Sequence, residues 1–407
     1  MDPNIAIREA AAKDIPAVVD FLMRLHNPRN KARMKNWFTI MMDGRHPHID
    51  ASNFVIAEDL DNGKLVASAT YMPWTYSYGG KPVQAVRLEE VFCEPAYQNQ
   101  GIVKGILRRV EAICDERGYL FECVYGTNAV YPHLGYTYAL PNEEEGYSYI
   151  VESEPAGKEL RIEKAGGADI PAIARLYEAT FARNLLATAI GEKEFDYMMN
   201  GNPEGEFYVV RRPGGEVCGF FQTQCKDRRI YMLELDGSAS YHQLRPYLLA
   251  FCKKHGMEEL KLKLGQSHPA YMVFGGLYHK KLPSELGFVK VRDIPRFFMG
   301  VADVLQDRLA CSPYAHFTGA FTLAVHSREE AYRLSFADGM LTDVSPVQQA
   351  HGEVDIERSR LVRLLFGRVA PEEIDGEFSM YCFQNSDLRN LFGIIFPQQQ
   401  SHVVSVN

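Results

Sequence analysis

An internal repeat constrains the fold of this 407-residue chain more than any single motif does. Ile7 leads to Asp14-Ile15-Pro16-Ala17 and an apolar stretch, and Ile162 leads to Asp169-Ile170-Pro171-Ala172 and a similar stretch. Asp followed by Ile-Pro predicts a helix start, because a carboxylate accepts hydrogen bonds from the first N–H groups and proline suits the first turn. The repeat therefore predicts two copies of one α/β unit.

The two copies continue in the same order. Each has a hairpin pattern, then a helix that ends at Gly118 or Gly256, then a short apolar strand. Both copies close on the phrase Leu-Gly-aromatic: Leu134-Gly135-Tyr136 and Leu286-Gly287-Phe288. A polar segment with Pro155 and Gly157 separates them and is typical of a linker. We place the first unit at residues 1–152 and the second at 158–300.

Beyond residue 301 the pattern changes. Residues 317–325 and 331–336 alternate like strands, with a turn after the second of them. Asp355 is placed to cap a helix that ends at Gly367, and residues 387–396 form a last apolar segment. These patterns predict a third, α+β unit at residues 301–407.

Composition and charge exclude several classes of protein. The formal charge of −8 argues against nucleic-acid binding and is compatible with cationic, amine-bearing substrates. Eight cysteines without a C-x-x-C pair indicate reduced core thiols, and His46-Pro47-His48 is too weak a pattern to predict a metal site. Met1–Asn4 does not begin a signal-peptide pattern, and no apolar run is long enough to span a membrane. We therefore expect a cytoplasmic protein without a membrane partner.

A strand, a turn and a helix between residues 88 and 118 predict an anion site. The strand ends near Pro95, and Gly101 opens an amphipathic helix whose first N–H groups would be free to bind a phosphate or pyrophosphate. The loop contains no Lys or Arg, so backbone donors would hold the anion. At the matching place in the second copy, Asp236 would oppose an anion.

The motif Gln98-x-x-Gly101-x-Val103 in this turn resembles the arginine/glutamine-x-x-glycine-x-glycine/alanine signature of the GCN5-related N-acetyltransferases (GNAT), which grips the pyrophosphate of acetyl-CoA. Val103 departs from the small residue usual there. The order of segments over nearly the whole chain resembles the bacterial "enhanced intracellular survival" acetyltransferases. The resemblance implies an α/β (α+β) fold of tandem GNAT-type domains with mixed sheets, the second degenerate, plus a C-terminal sterol-carrier-protein-like domain.

The resemblance also implies which residues would bind acetyl-CoA. The strand before the turn would pair with the pantetheine arm, the turn would hold the pyrophosphate, and the residues after the next strand would lie beside the thiol. By position these residues are Val91, Phe92, Cys93, Gln98, Asn99, Gln100, Gly101, Ile102, Val103, Lys104, Gly126, Thr127 and Asn128. The alternative for the turn is a polar loop that merely caps a helix.

Catalytic roles follow from the same resemblance. Tyr131, four residues before Gly135-Tyr136, occupies the position of the tyrosine that protonates the leaving thiolate, although it could instead be a packing tyrosine. The base is either Glu89 or Glu90, which alternation would send to opposite faces, or the C-terminal carboxylate of Asn407. We favour Asn407, because residues 398–407 end in alternating apolar positions, as in a strand that returns to a core. A frayed tail is the alternative.

The predicted activity is direct acetyl transfer from acetyl-CoA to a primary amine, on an aminoglycoside-like, polyamine-like or lysine acceptor. Aromatic residues on the first hairpin could line an acceptor cleft or a plain hairpin surface: Tyr71, Trp74, Tyr76 and Tyr78. The alternative is an inactive acetyl-CoA sensor or a lipid-binding protein. We expect a homo-oligomer with no metal.

Overall fold

The structure is a computed structural model of the full chain. It describes residues 4–26, 30–126, 129–141, 146–152, 154–203, 205–224, 229–265, 267–274, 278–281, 286–326, 330–376, 382–404 and 406. The fold is mixed α/β, with three sheets and helices packed on them.

The first copy begins with short helices and a long hairpin. Its strands are β1 (Ile5–Glu9), β2 (Phe54–Asp59), β3 (Lys64–Tyr78), β4 (Lys81–Cys93), β5 (Glu122–Gly126), β6 (Thr137–Leu140) and β7 (Tyr147–Ile150). Its helices are α1 (Ile15–His26), α2 (Lys31–Met42) and α3 (Ile102–Arg117). The predicted end of α3 is confirmed, since Gly118 adopts a left-handed φ of 74° as its C-cap.

The second copy repeats this order with shorter helices. Its strands are β8 (Arg161–Lys164), β9 (Leu186–Thr188), β10 (Gly205–Arg211), β11 (Val217–Gln224), β12 (Ile230–Leu235), β13 (Glu259–Leu262), β14 (Tyr278–Lys281) and β15 (Leu286–Lys290). Its helices are α4 (Ile170–Tyr177), α5 (Ala179–Arg183), α6 (Glu192–Asp196), continued by a π-helical turn at Tyr197–Gly201, α7 (Tyr241–Lys254) and α8 (Ala270–Phe274).

The two copies exchange their last strands. β15 lies between β5 and β6 in the first sheet, and β7 lies between β13 and β14 in the second. The two Leu-Gly-aromatic phrases are therefore not equivalent, contrary to the sequence alignment of the copies. Leu134-Gly135-Tyr136 precedes β6, whereas Leu286-Gly287-Phe288 begins β15, whose counterpart by order is β7.

The remaining elements form a separate sheet with its own helices. They are α9 (Ile294–Gly300), α10 (Ala302–Ala310), β16 (Gly319–Val325), β17 (Glu330–Ala337), β18 (Met340–Pro346), β19 (Val354–Ile356), α11 (Arg358–Leu365), α12 (Pro371–Gly376) and α13 (Ser386–Ile395). The sheet has the order β18-β17-β16-β19. The predicted cap role of Asp355 is wrong, because Asp355 lies on β19 and Glu357 precedes α11.

The aromatic side chains of β3 form core, not a cleft or hairpin surface. Tyr71, Trp74, Tyr76 and Tyr78 are each at most 3% exposed. The Tyr78 hydroxyl donates to the backbone oxygen of Leu365, and its ring packs edge-on against Phe297 and Phe366. The first sheet is thus joined to the C-terminal helices by a continuous aromatic core.

The C-terminal segment returns to the first sheet. The backbone N–H of Leu185 donates to Gln400 O (2.7 Å), and that of His402 donates to Leu186 O (2.8 Å). β9 in turn pairs with β3, so the segment lies alongside a strand that borders the first sheet. Val403 and Val406 are buried. In the described part of the chain, no helix is long and apolar enough to cross a membrane.

Candidate functional site

The site lies where two neighbouring parallel strands separate. β4 and β5, both fully described, pair in register at Val86 with Glu122 and at Arg87 with Cys123. β4 then continues to Cys93 while paired with β3 alone. Residues 88–93 therefore turn one backbone edge toward a gap beside β5, and such an edge can pair with an extended, amide-bearing ligand.

A β-bulge shapes this edge. Thr70 is opposite Glu89 and Ser68 is opposite Phe92, so Ala69 faces two residues of β4. Glu90 has a φ of 50°, which is rare for a side chain other than glycine. The bulge interrupts the alternation that the sequence analysis assumed for the two glutamates, because an extra residue changes which face each side chain takes.

The turn after β4 leads into helix α3, whose N-terminus has no side-chain cap. A 3₁₀ turn at Pro95–Tyr97 leads into Gln98, whose side-chain amide donates to Cys93 O (3.3 Å). Asn99 and Gly101 have φ values of 62° and 81°, and Gly101 is the N-cap of α3 without a side-chain hydrogen bond. A Cβ built on Gly101 would meet no atom within 4 Å. The first N–H groups of α3 thus have no side-chain cap, and a ligand at Gly101 would meet no side chain there, as an anion site requires.

Hydrogen bonds to the neighbouring strands hold this turn in place. The Tyr97 hydroxyl donates to Asp59 Oδ2 (2.6 Å), and Glu94 N–H donates to Val66 O (2.8 Å). A cavity of about 490 Å³ borders the turn and is lined in part by Arg24 and Lys64. Asp20 and Glu94 also line this cavity, and the Arg24 guanidinium pairs with the Glu94 carboxylate.

In the second copy, side chains cap the N-terminus of the equivalent helix, α7. Ser240 Oγ accepts from Gln243 N–H (3.1 Å), and Gln243 Oε1 accepts from Ser240 N–H (2.9 Å). Asp236 Oδ1 accepts from Ser238 N–H (2.8 Å) in the turn before α7. A reciprocal capping box leaves these donors satisfied, so α7 lacks the open start that α3 has.

The equivalent gap between β12 and β13 is also filled from within. Those strands pair in register at one position, and the carboxylate of Glu234 beyond it is buried with Arg183 and accepts from Thr180 Oγ1 (2.8 Å). His268 lies against them, with its Nε2 2.7 Å from Leu233 O. Burial lowers the pKa of His268 to about 3, so this ring is neutral at physiological pH.

Tyr131 follows β5 in a 3₁₀ turn, at the same sheet edge as the end of β4. A Cβ on Gly126 would lie 2.4 Å from Tyr131 Cε2, so the ring rests on the bare backbone of that glycine. The ring also contacts Phe288, with ring centroids 5.7 Å apart. Phe288 belongs to the exchanged strand β15, and sequence reasoning missed it because the contact joins the two copies.

Tyr136 has a structural role. Its ring is buried, and its hydroxyl donates to Glu122 Oε2 (2.5 Å) beneath the sheet. Tyr136 also contacts Tyr131 edge-on, with centroids 5.9 Å apart. Tyr131 therefore sits on a rigid aromatic support.

The two glutamates of β4 differ in environment. Glu89 pairs with the Arg87 guanidinium beside it. Glu90 Oε2 is buried and has no hydrogen-bond partner among the described residues. Burial, and secondarily the charge of Glu89, raises the pKa of Glu90 to about 8. A carboxyl group with a pKa near neutrality can exchange a proton with an ammonium group more readily than an ordinary glutamate can.

The two histidines of His46-Pro47-His48 contact the C-terminal segment and the second copy. His46 Nδ1 accepts from His48 N–H (3.1 Å), so its Nε2 carries the proton that faces Val406 O (3.2 Å). Burial lowers the pKa of His46 to about 4, which keeps the ring neutral. His48 Nε2 lies 3.0 Å from Glu194 Oε1. Three predicted site residues lie outside the described residues: Thr127, Asn128 and Asn407.

Comparison with known proteins identifies the first unit. Residues 6–139 match the family model of the acetyltransferase (GNAT) domain, which confirms the resemblance seen in the sequence. GNAT domains use acetyl-CoA, so acetyl-CoA is the cosubstrate of this domain. A search of curated proteins found no match.

Solved structures share the fold over nearly the whole chain. A GCN5-related N-acetyltransferase from Kribbella flavida is 16% identical, with a TM-score of 0.73. A probable N-acyltransferase from Enterococcus faecalis is 11% identical, with a TM-score of 0.75. The Eis1 protein of Mycobacterium abscessus is 13% identical, with a TM-score of 0.64. Each comparison covers 98% of this chain and 99% of the other.

The raised pKa of Glu90 makes the stability of the protein depend on pH. The folded state keeps this proton up to about pH 8, whereas the unfolded state loses it near the ordinary value of 4.5. Stability should therefore fall as pH rises through that interval and level off above it. Glu90→Gln removes this contribution, so the variant should gain stability relative to the native protein between pH 4.5 and 8, as measured by urea unfolding.

Glu122 does not obscure this comparison. Burial raises its pKa to about 7, but it is present in both proteins and cancels in the difference. A stability difference that stays constant from pH 4.5 to 9 would contradict the assignment to Glu90.

Proposed function

We propose, from the premise that residues 6–139 are a GNAT acetyltransferase domain, that the protein transfers an acetyl group from acetyl-CoA directly to a primary amine. The single observation that carries this proposal is the open start of α3 beside the free edge of β4. The same elements in the second copy are closed by Ser240, Gln243 and the Glu234–Arg183 pair. Of the two copies, the first therefore has the backbone groups available to bind a ligand.

The cofactor would lie along the first copy in two parts. Its pyrophosphate would accept hydrogen bonds from the N–H groups of residues 98–104, and its pantetheine amides would pair with the β4 edge at Val91–Cys93. The side chain of Ile102 is buried, so it would contribute through its backbone. Gly126 would lie beside the thiol, with Thr127 and Asn128 after it.

Each catalytic group has a defined proton to move. The amine nitrogen attacks the thioester carbon, an N–C bond forms, and the C–S bond breaks. A carboxylate takes the proton that the amine loses, and the Tyr131 hydroxyl gives its proton to the departing thiolate. The support of Gly126 and Phe288 under Tyr131 favours this role, because a catalytic acid works best when its ring is held in one place.

The base is assigned to the α-carboxylate of Asn407, with Glu90 as the second candidate. The path of the tail supports Asn407: residues 400–404 run beside β9, and Val406 is buried against His46. The environment of Glu90 supports the other assignment, since its pKa lies near 8. Different changes remove the two candidates: an extension of the C-terminus displaces the α-carboxylate of Asn407, and Glu90→Gln removes the side-chain carboxylate. The two assignments can therefore be separated by experiment.

The acceptor is proposed as an aminoglycoside-like, polyamine-like or lysine-like cation, which an acidic protein would attract. The assignment of residues 1–152 as catalytic, 158–300 as degenerate and 301–407 as sterol-carrier-like is part of the same proposal. Homo-oligomerisation and a cytoplasmic location stay predictions.

Gly101 offers a test of cofactor binding with a matched control. Gly101→Ala places a methyl group in the open space at the start of α3, so acetyl-CoA affinity should fall about tenfold or more by calorimetry. Gly237 occupies the corresponding turn of the second copy, also with a positive φ (83°) and no atom within 4 Å of a built Cβ. Gly237→Ala carries similar backbone strain and should bind acetyl-CoA like the native protein. Equal affinities of the two variants would remove the cradle from the proposal.

Tyr131→Phe tests the acid. The variant keeps the ring that packs on Gly126 and Phe288 but lacks the proton, so kcat should fall by about 10²- to 10⁴-fold while acetyl-CoA still binds. The assay follows thiol release from acetyl-CoA with a panel of amines. Tyr138→Phe, on the neighbouring strand β6, serves as a control that should retain activity. Absence of turnover with every amine, despite intact acetyl-CoA binding, would favour the sensor alternative.

A two-glycine extension after Asn407 tests the base without removing any buried side chain. It displaces the α-carboxylate by up to about 7 Å, so kcat should fall by about 10²-fold or more, while the dissociation constant of acetyl-CoA stays unchanged. Full activity of the extended protein, together with an inactive Glu90→Gln variant, would transfer the role to Glu90.

A further inference from the structure

A cluster of three metal-ligand side chains lies at one end of the third sheet, apart from the residues proposed for acetyl transfer. His351 Nδ1 is 3.3 Å from Asp355 Oδ2, and His326 Nε2 is 3.8 Å from Asp355 Oδ1. One ligand atom from each residue lies within 4.8 Å of the others. In the described part of the chain, no other group of three His, Cys, Asp or Glu side chains meets this spacing.

The sheet places two of these residues side by side. β16 and β19 run parallel with Ala324 opposite Asp355, so His326, two residues beyond Ala324, is a diagonal neighbour of Asp355. Asp355 is held on its other side by a hydrogen bond from its N–H to Cys382 O (2.8 Å). Asp355 thus leaves from strand backbone, and His326 directly follows the last residue of β16.

The loop before β19 brings the third residue into place. Gly352 lies so close to β16 that a Cβ on it would be 2.3 Å from Thr322 O, and its N–H donates to Asp355 Oδ1 (2.9 Å). His351 is the preceding residue and is therefore carried to the carboxylate. The hydrogen bond from Gly352 also orients that carboxylate, as outer hydrogen bonds do for metal ligands.

We propose that His326, His351 and Asp355 bind a divalent transition-metal ion, with zinc as the preferred ion. Two imidazoles and one carboxylate are ligands that zinc prefers, and three protein ligands leave a coordination position open. Zinc bonds of about 2.0–2.2 Å place tetrahedral ligand atoms roughly 3.3 Å apart. The three ligand atoms lie within 4.8 Å of one another, and the exposed side chains of the two histidines can rotate to close the remaining distance.

The surroundings leave room for a fourth ligand. A cavity of about 630 Å³ borders His326 and His351 and is lined further by Gln348, Gln349 and Ala350. Glu330 also lines it, but its carboxylate pairs with Arg358 (2.7 Å) and is not counted as a ligand. Water or a small anion would complete the coordination from this cavity.

Calorimetric titration of the full-length protein with zinc chloride tests the proposal. The protein carries no polyhistidine tag and is first freed of metal with a chelator. The native protein should bind one equivalent, and His326→Ala and His351→Ala should each bind about tenfold more weakly or worse, since loss of an outer partner alone costs that much. Asp355→Asn, which keeps an oxygen for the Gly352 N–H, should weaken binding similarly.

The same chain supplies a matched control. His316 Nδ1 lies 2.5 Å from Asp338 Oδ1 on the exposed turn between β17 and β18, as a pair without a third ligand. His316→Ala should bind zinc like the native protein. Titration with cobalt(II) chloride should give a visible absorption band in the native protein and in His316→Ala, but not in His326→Ala.

Thermal unfolding gives a readout that does not depend on stoichiometry. Zinc should raise the Tm of the native protein and of His316→Ala, because a ligand that binds the folded state stabilises it. It should leave the Tm of the His326→Ala/His351→Ala double variant unchanged. The proposal is overturned if the native protein binds no zinc equivalent, or if the double variant binds zinc and gains Tm as the native protein does.

Discussion

The early separation of β4 from β5 is the constraint on which the site depends. After Arg87 the two parallel strands no longer exchange hydrogen bonds, and the edge of β4 is left to a partner from outside the sheet. The bulge at Glu90 is tolerated there because no second strand has to match its register. The start of α3 and the turn that carries Tyr131 lie at the same end of these strands, so one interruption of the sheet brings a free strand edge, an uncapped helix start and a tyrosine together.

The two copies share a fold but differ in how the gap between their parallel strands and the start of the following helix are filled. In the second copy the strands separate as well, but a buried carboxylate, Glu234, takes up the space with Arg183 as its counter-ion. A buried charge has to be paired, and here the pair comes from within the chain. The first N–H groups of α7 are satisfied by the Ser240–Gln243 capping box, whereas α3 has no side-chain cap. The two copies therefore differ in whether their own side chains satisfy these donors.

The sequence predicts what depends on neighbours along the chain. The glycine stop of α3, the hairpins and the repeated helix starts are found in the structure. The predicted capping by Asp14 and Asp169 is wrong, because their carboxylates accept from the N–H groups of Ala11 and Gly166 before the helices and not from the first helical turn. Contacts between distant segments were not predictable from local rules. The exchange of β7 and β15 depends on pairing partners more than 100 residues apart, the raised pKa of Glu90 depends on its burial, and Asp355 joins a strand because β16 offers it an edge. A short segment can be a cap or a strand, and only the tertiary partner decides between them.

The strand exchange makes the first copy depend on the second. β15 fills the sheet between β5 and β6, and its Phe288 is one side of the support for Tyr131. Without that strand, β5 would be an edge and the ring would lose a packing partner, which would free the hydroxyl to move. The second copy also supplies β9, along which the C-terminal segment runs before Val406 meets His46. The second copy therefore acts on the proposed site through two strands: β15 supports the Tyr131 ring with the Phe288 side chain, and β9 pairs with the C-terminal segment.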